Sequence, residues 1–176
     1  MAFSSVNPAT GEPVWACDAW DATHIERALA ETAQAAPPWA ALAVAERCRL
    51  LRRAGELLRR NSQELAGLIT LEMGKLAKEA RAEVEKCASA CDYYAERAPA
   101  FVADEIIASD AGKSLVAYQP LGTVLAIMPW NFPLWQVFRF AVPALAAGNI
   151  ALPKHASNGP QCALAIERVF VDAGFP

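Results

Sequence analysis

Two polar side chains follow short apolar runs that are typical of buried strands. Asn131 stands three residues after the run at 123–128, and Lys154 comes directly after the run at 149–153. In an open parallel sheet, ligands bind beyond the carboxyl ends of the strands, so we expect both side chains at the edge where a site would form. A carboxamide and an ammonium group can both donate hydrogen bonds there. Patterning alone favours simpler roles, a helix cap for Asn131 and a surface charge for Lys154.

The cysteines are not expected to form a metal-binding or disulfide-bonded set. There are five of them, an odd number, and the chain shows no secretion signal, so we expect reduced thiols. Cys87 and Cys91 lie four residues apart on a predicted helix and could share a metal ion, but no other Cys or His pair completes a ligand set. Buried packing is the favoured role, and no metal site is predicted.

Composition limits the classes of function. The chain has 176 residues, of which 55% are hydrophobic and 20% are charged, as expected for one globular domain. Its formal net charge of -3 provides no basic field for nucleic acid or for an anionic membrane. The amino terminus has no basic segment before an apolar run, and no stretch approaches the roughly 18 apolar residues that a spanning helix needs. We therefore expect a cytoplasmic protein without nucleic-acid or membrane partners.

The amino-terminal part is predicted to be mainly helical. Turn-forming residues at 7–12 predict a loop or hairpin on the surface. A first helix, capped by Asp21 or Thr23, is expected to run to about Ala36, where Pro37-Pro38 would stop it.

Three further helices are predicted before residue 100. The segment 45–60 repeats apolar residues at helical spacing, and its six arginines are expected on a solvated face. Asn61 with Glu64 resembles a capping box for the next helix, which would end at Gly74. Pro99 is expected to close the fourth helix. The inward positions of that helix are predicted to be Leu76, Ala80, Val84, Cys87, Cys91 and Tyr94.

The pattern changes to that of a sheet after Gly112. The run at 123–128 is continuously apolar, which predicts a strand buried on both faces of a parallel sheet. The predicted elements are a strand at 113–118, a turn at 120–122, the strand at 123–128, a helix at about 134–147, a strand at 149–153 and a helix at about 160–173 that is capped by Ser157 or Asn158.

This order predicts an α/β fold in which a helical amino-terminal region is followed by the first β-α-β-α of a doubly wound, Rossmann-like parallel sheet. We divide the chain into a mainly helical part at 1–112, a strand at 113–120 and the start of the sheet domain at 121–176. Two parallel strands leave an unpaired apolar edge, whereas a stable sheet normally needs at least three strands or covering layers. We therefore expect a piece of a longer protein.

Several strings of residues are more specific than any of these patterns. The longest is Ile-Met-Pro-Trp-Asn-Phe-Pro-Leu at 127–134, and it resembles the signature of the aldehyde dehydrogenase superfamily. Within that superfamily, Trp-Gln-Val at 135–137 and Lys-His-Ala at 154–156 look most like bacterial NAD(P)-dependent succinate-semialdehyde dehydrogenases. The resemblance runs through almost the whole chain. Its other strings are Asn-Pro-Ala-Thr-Gly-Glu at 7–12, Glu-Met-Gly-Lys at 72–75, Pro-Leu-Gly at 120–122, Pro-Ala-Leu-Ala-Ala-Gly-Asn at 143–149 and Ala-Gly-Phe-Pro at 173–176.

The resemblance implies the oxidation of an aldehyde through a cysteine thiohemiacetal and a thioester that water then hydrolyses. Asn131 would donate its side-chain NH2 to the oxyanion, together with the backbone N–H of the nucleophile. None of the five cysteines stands in the family's nucleophile context. The nucleophile, the glutamate base and the catalytic domain are therefore expected beyond this chain, which alone would be inactive. The alternative is a noncatalytic short product that interacts with full-length subunits.

The resemblance also implies a nicotinamide cofactor. Lys154 aligns with the lysine that hydrogen-bonds the hydroxyls of the adenosine ribose. No Gly-x-Gly-x-x-Gly follows the first apolar strand, in agreement with the family. Strongly NAD-selective members often carry a glutamate where this chain has Ser157, so a 2′-phosphate is permitted and we expect NAD or NADP. The backbone expected to line the cofactor groove is that of Ile127, Met128, Pro129 and Trp130.

For the substrate, the resemblance points to Arg139, eight residues beyond Asn131. Succinate-semialdehyde members place a carboxylate-binding arginine at a similar position, with Phe132 and Trp135 expected beside it. Without the family, a surface or structural arginine is the favoured role. The segment 113–119 resembles the family's oligomerisation strands, which implies a homo-oligomer, a dimer or a tetramer, of the complete protein.

Overall fold

The computed structural model of the chain describes residues 2–176. A helical amino-terminal region is followed by a strand-helix-strand-helix unit, so the predicted fold class is confirmed. The strands are β1 (Ala2–Val6), β2 (Pro13–Asp18), β3 (Glu105–Ile106), β4 (Leu115–Val116), β5 (Thr123–Ile127) and β6 (Ile150–Lys154). The helices are α1 (Ala22–Ala41), α2 (Val44–Arg60), α3 (Ser62–Met73), α4 (Ala77–Phe101), α5 (Trp135–Ala146) and α6 (Pro160–Ala173).

The chain begins with an antiparallel hairpin of β1 and β2. The Asn7 N–H closes its turn by donating to the Glu12 carbonyl at 2.9 Å, and the Asn7 side chain accepts from the Ala9 N–H at 3.0 Å. Gly11 has a φ of 75°, in the left-handed region that glycine adopts at little cost. The predicted surface hairpin is confirmed.

One hydrophobic core joins the amino-terminal helices to the sheet unit. The predicted apolar stripe of α2 is buried in it, with Leu51 and Leu58 fully covered. Val84 of α4 and Phe138 of α5 pack into the same cluster. Because burial of apolar surface is the main stabilising contribution, this shared core fixes α4 and α5 relative to each other.

The predicted end of the first helix at Ala36 is wrong, because α1 continues through Pro37-Pro38 to Ala41. Proline removes a backbone donor and usually breaks a helix. Here Trp39 is buried just beyond the prolines, and its indole N–H donates to the carbonyl oxygen of Leu145 on α5 at 3.2 Å. This tertiary contact outweighs the tendency of the two prolines to end the helix.

Arg47 is buried, unlike the other five arginines of α2, so the expected solvated face is wrong at this position. Its Nε donates to the Ala146 carbonyl at 3.0 Å, and its Nη1 donates to the carbonyls of Ala40 at 3.3 Å and of Leu42. Burial lowers the pKa of this guanidinium. Arg47 therefore ties the end of α1 to the end of α5.

The predicted capping box of α3 does not form. Asn61 is also the last residue of the turn that ends α2, with φ -97° and ψ 14°, and its side chain makes no capping hydrogen bond. An N-cap normally needs an extended backbone to aim its side chain at the helix. Glu64 instead lies 3.7 Å from Arg168 of α6. The predicted stop at Gly74 is confirmed, because this glycine has a φ of 72°.

The inward face of α4 is largely as predicted. Ala80, Val84 and the two cysteines of this helix are buried. Leu76 is an error, because it precedes the first turn as the N-cap and is 69% exposed. Pro99 does not close the helix but lies in its last turn, which continues to Phe101.

Neither Ser157 nor Asn158 caps α6. The N-cap is Gly159, and no side chain of the preceding loop bonds to the first turn. The buried carboxylate of Glu72 on α3 takes this role, accepting from the Gln161 N–H at 3.0 Å and the Cys162 N–H at 2.8 Å. A negative charge at a helix N-terminus is also favoured by the helix dipole.

β5 and β6 pair in parallel, with α5 as the crossover. The expectation that β5 is buried on both faces is wrong within residues 2–176. Ala126 is buried, but Leu125 is 61% exposed and Ile127 is 72% exposed. Successive side chains of a strand point to opposite faces, so this alternation shows that the described elements cover one face of the pair.

The predicted strand at 113–118 is shorter in the structure. Only Leu115–Val116 is extended as β4, and it pairs antiparallel with β3, which was not predicted. Ile106 and Val116 are both exposed. Two residues are too few to show the period-2 pattern on which strand prediction depends.

Candidate active site

The carboxyl ends of β5 and β6 meet at one edge of the parallel pair. Ile127 is paired with Lys154, and the Met128 N–H donates to the Lys154 carbonyl at 3.0 Å. The segments that follow the two strands therefore leave the sheet side by side. The structure thus brings the predicted groove segment 127–130 next to the predicted lysine.

Asn131 lies in the irregular segment between β5 and α5 and is exposed. It does not cap α5, whose N-cap is Leu134 without a side-chain capping bond. Within residues 2–176, the Asn131 side chain has no hydrogen-bond partner. The simpler interpretation as a helix cap is therefore wrong, and its amide is available to a ligand.

The backbone directly after Asn131 is held by a buried carboxylate. Glu83 of α4 accepts from the N–H groups of Leu134 and Trp135, both at 3.0 Å, through one oxygen. Its other oxygen pairs with the ammonium of Lys75. The side chains of Glu83 and Lys75 are 1% and 8% exposed, so this ion pair is shielded from water.

Two further contacts fix the same segment. The Lys75 Nζ lies 3.8 Å from the centroid of the Phe132 ring, a cation–π contact. The His155 Nε2 is 2.9 Å from the Pro133 carbonyl oxygen, so the imidazole donates to that oxygen in the tautomer that carries the proton on Nε2. His155 follows Lys154 directly, so the two strand ends are bound to each other by a side chain as well.

Lys154 and Ser157 are both exposed. Within residues 2–176, no ion pair or hydrogen bond occupies the Lys154 ammonium. In the segment that follows the neighbouring strand β5, Trp130 is 53% exposed and Pro129 is also exposed. A free cation beside accessible apolar surface fits a ligand that carries hydroxyl or phosphate groups and flat rings.

Arg139 lies on α5 one helical turn beyond Trp135, so the two residues share a face of the helix. Its side chain is exposed and has no partner among the described residues. Trp135 is half-buried and lies under the ammonium of Lys86, at 4.1 Å from the ring centroid. The guanidinium is thus free to bind an anion.

Four of the five cysteines are buried and provide no activated thiol. Cys48, Cys87, Cys91 and Cys162 are buried, and burial raises the pKa of each thiol, that of Cys91 to about 12. A thiol must be deprotonated to act as a nucleophile. Within residues 2–176, no group of three His, Cys, Asp or Glu side chains could hold a metal ion. None of the helices in this range has the length and hydropathy of a membrane-spanning segment.

The chain matches a known family in sequence and in fold. The sequence model of the aldehyde dehydrogenase family matches residues 1–176. The chain belongs to the aldehyde dehydrogenase family. A probable NADP+ succinate-semialdehyde dehydrogenase of Synechocystis sp. is 50% identical over 176 residues, which are 100% of this chain and 39% of the relative. The NAD(P)+ succinate-semialdehyde dehydrogenase Sad of Escherichia coli K12 is 48% identical over 98% of this chain and 37% of its own length.

Solved structures of aldehyde dehydrogenases have the same fold over this part of their chains. The succinic semialdehyde dehydrogenase of Streptococcus pyogenes, determined in complex with NADP+, superposes with a TM-score of 0.94 at 32% identity. The match covers 98% of this chain and 38% of that one. The chain thus spans about two-fifths of the length of these aldehyde dehydrogenases, corresponding to their amino-terminal part. The resemblance inferred from the sequence strings is confirmed.

Sequence reasoning included Glu72 and Lys75 in a family string without assigning them a role, and it missed Glu83, although a signal for Glu83 existed. Glu83 lies next to Val84, three residues after Ala80 and four before Cys87, so it falls on the buried face of α4. A carboxylate at such a position must find donors or an opposite charge. Which donors it finds could not be inferred, because they lie 51 and 52 residues away.

Proposed function

We propose that this chain forms the amino-terminal part of the cofactor-binding domain of an NAD(P)+-dependent aldehyde dehydrogenase. The observation that carries the proposal is the free amide of Asn131, in the segment that follows β5 at the carboxyl edge of the parallel pair, where β6 ends at Lys154. The alternative is a noncatalytic short product, and no contact among the described residues favours it.

In this proposal, Asn131 binds the reacting oxygen. When a thiolate adds to an aldehyde, negative charge develops on the carbonyl oxygen, and a preplaced N–H donor stabilises it. The Asn131 carboxamide is such a donor, and the tethered backbone after it limits its motion. Burial raises the pKa of the four buried cysteines, which disfavours their thiolate form, so we assign the nucleophile to the rest of the complete protein.

The cofactor would bind along the edge formed by residues 127–130 and the end of β6. Lys154 donates to the ribose hydroxyls in this arrangement, and the nicotinamide, when bound, supplies the hydride acceptor. Ser157 carries no charge that would repel a 2′-phosphate, so NAD+ and NADP+ are both accepted. The Synechocystis relative is named for NADP+ and the Escherichia coli relative for NAD(P)+.

The substrate is succinate semialdehyde. Two observations support this proposal: the names of the relatives with 45–50% identity, and the exposed guanidinium of Arg139, which can bind a carboxylate in a bidentate manner. We place Phe132 and Trp135 beside it in the substrate site. The exposed β3–β4 ribbon, with apolar Ile106 and Val116 on its surface, supports a role for residues 113–119 in a homo-oligomer.

The test is an assay of the natural protein, expressed from its complete reading frame. Purified protein is mixed with succinate semialdehyde and with NAD+ or NADP+, and the absorbance of the reduced cofactor is followed. We expect reduction of both cofactors and succinate as the product. No turnover of any aldehyde would refute the proposed activity, and discrimination against NADP+ by several orders of magnitude would refute the role of Ser157.

A further inference from the structure

Side chains from three segments outside the sheet contact the four residues that follow Asn131. Lys75, in the loop between α3 and α4, contacts the Phe132 ring. His155 bonds to the Pro133 carbonyl, and Glu83 accepts from the N–H groups of Leu134 and Trp135. The first turn of α5 is thus fixed by side chains, while Asn131 itself is bonded to none of the described residues.

The Glu83 contacts are the strongest of these. Charge-assisted hydrogen bonds are roughly twice as strong as neutral ones, and this carboxylate makes two of them besides its ion pair with Lys75. Both side chains are almost fully buried, so loss of either charge leaves the other without compensation from water. The carboxylate therefore sets where α5 begins, and with it the direction in which the segment 131–133 enters α5.

We propose that Glu83, held by its ion pair with Lys75, is a positioning residue that places the Asn131 amide for binding of the reacting oxygen. The inference rests on the proposed aldehyde oxidation. Displacement of a catalytic group by about 1 Å can cost roughly a hundredfold in rate, so a donor on an irregular segment needs such a tether. Glu83 acts through Asn131 and touches no substrate.

The chain contains a matched control for this role. Glu72 is buried like Glu83 and also accepts from two N–H groups at the start of a helix, those of Gln161 and Cys162. The helix it caps, α6, does not carry Asn131. If these carboxylates merely stabilise the fold, their substitutions should affect turnover alike.

The experiment compares Glu83→Ala and Glu83→Gln with Glu72→Ala and Glu72→Gln in the natural protein, each also combined with Asn131→Ala. We expect Glu83→Ala to lower kcat by roughly 10- to 100-fold, with KM for the cofactor changed less than about threefold. Glu83→Gln keeps an acceptor and should retain more activity. Both Glu72 variants should keep kcat within about twofold, although their melting temperatures fall similarly. With Asn131→Ala, the further loss caused by Glu83→Ala should shrink to less than about threefold.

Amide hydrogen exchange supplies a readout that does not depend on activity. The Leu134 and Trp135 amides should exchange at least roughly tenfold faster in Glu83→Ala, and Gln161 and Cys162 should do so in Glu72→Ala. Should Glu83→Ala not fold, Glu83→Gln decides, with smaller changes in the same directions. Equal kcat losses at both glutamates, additive losses with Asn131→Ala, or unchanged exchange would overturn the positioning role. An unchanged kcat in Asn131→Ala alone would instead overturn the proposed function.

Discussion

Arg139 is the residue that would distinguish a semialdehyde with a carboxylate from other aldehydes. A hydrogen-bonded ion pair to a substrate carboxylate contributes about 1.5–3 kcal/mol, so Arg139→Ala should raise KM for succinate semialdehyde roughly tenfold or more. Simple alkyl aldehydes should be unaffected, and steady-state kinetics with both substrates checks this. Arg168→Ala, at another exposed arginine, should change neither KM. Equal effects of Arg139→Ala on both substrates would remove it from the substrate site.

Arg47 is a residue whose importance lies in stability. Arg47→Ala removes a buried guanidinium that donates hydrogen bonds to carbonyls of α1, of α5 and of the turn between α1 and α2. Because those acceptors would be left in a dry environment, we expect the free energy of unfolding to fall by about 2–4 kcal/mol, measured by chemical denaturation. Arg49→Ala is the control, since its partner Glu46 is exposed and the loss should stay below about 1 kcal/mol. Similar losses at the two arginines would contradict the assignment.

At the scale of the elements, the residues that cap the starts of helices differ most from those predicted from the sequence. Glu72→Ala should lower the free energy of unfolding by about 2–3 kcal/mol, because two N–H groups of α6 lose their acceptor. Asn61→Ala, at the position where the sequence predicted a cap, should cost less than about 0.5 kcal/mol because no capping bond exists. Denaturant melts of the two variants test the contrast, and the reverse order would show that the caps are assigned to the wrong residues.

The elements that could be predicted from the sequence are those whose signals are local. The 3.6-residue period located α2, the apolar runs located β5 and β6, and the glycine at position 74 marked the end of α3. The caps of α5 and α6 could not be predicted, because their acceptors come from α4 and α3, 51 to 90 residues away. The end of α1 could not be predicted for the same reason, because its helical turn after Pro37-Pro38 depends on a contact of Trp39 with α5.

The candidate site also has features that the sequence could predict and features that it could not. The positions of Asn131 and Lys154 at one edge follow from strand direction alone, and the register of β5 and β6 places the two strand ends together. Their proposed roles came from the family resemblance. The tether through Glu83 and Lys75 needed three-dimensional contacts, since nothing in the spacing of these residues names Leu134 and Trp135 as partners.

At the scale of the whole molecule, one face of the parallel pair is apolar and uncovered. Leu125, Ile127 and Trp130 are 61%, 72% and 53% exposed. Residues 1–176 expressed on their own should therefore bind a hydrophobic dye and associate as concentration rises. The combined Leu125→Glu and Ile127→Glu substitution should reduce both effects at least about twofold, measured by dye fluorescence and light scattering. Val171→Glu, at an exposed apolar residue of α6, should reduce them less. A monomer that binds no dye would contradict this account of the sheet.

The most direct test of the whole account is the turnover rate of Asn131→Ala in the natural protein, assayed with succinate semialdehyde and NADP+. Loss of one donor to a reacting oxyanion typically costs roughly 10²–10³ in rate, so kcat should fall by that factor. The melting temperature should not change, because the Asn131 side chain is exposed and bonded to none of the described residues. Asn158→Ala, at another exposed asparagine, should keep the wild-type kcat. A kcat of Asn131→Ala within about twofold of wild type would contradict the assignment of this edge as the active site.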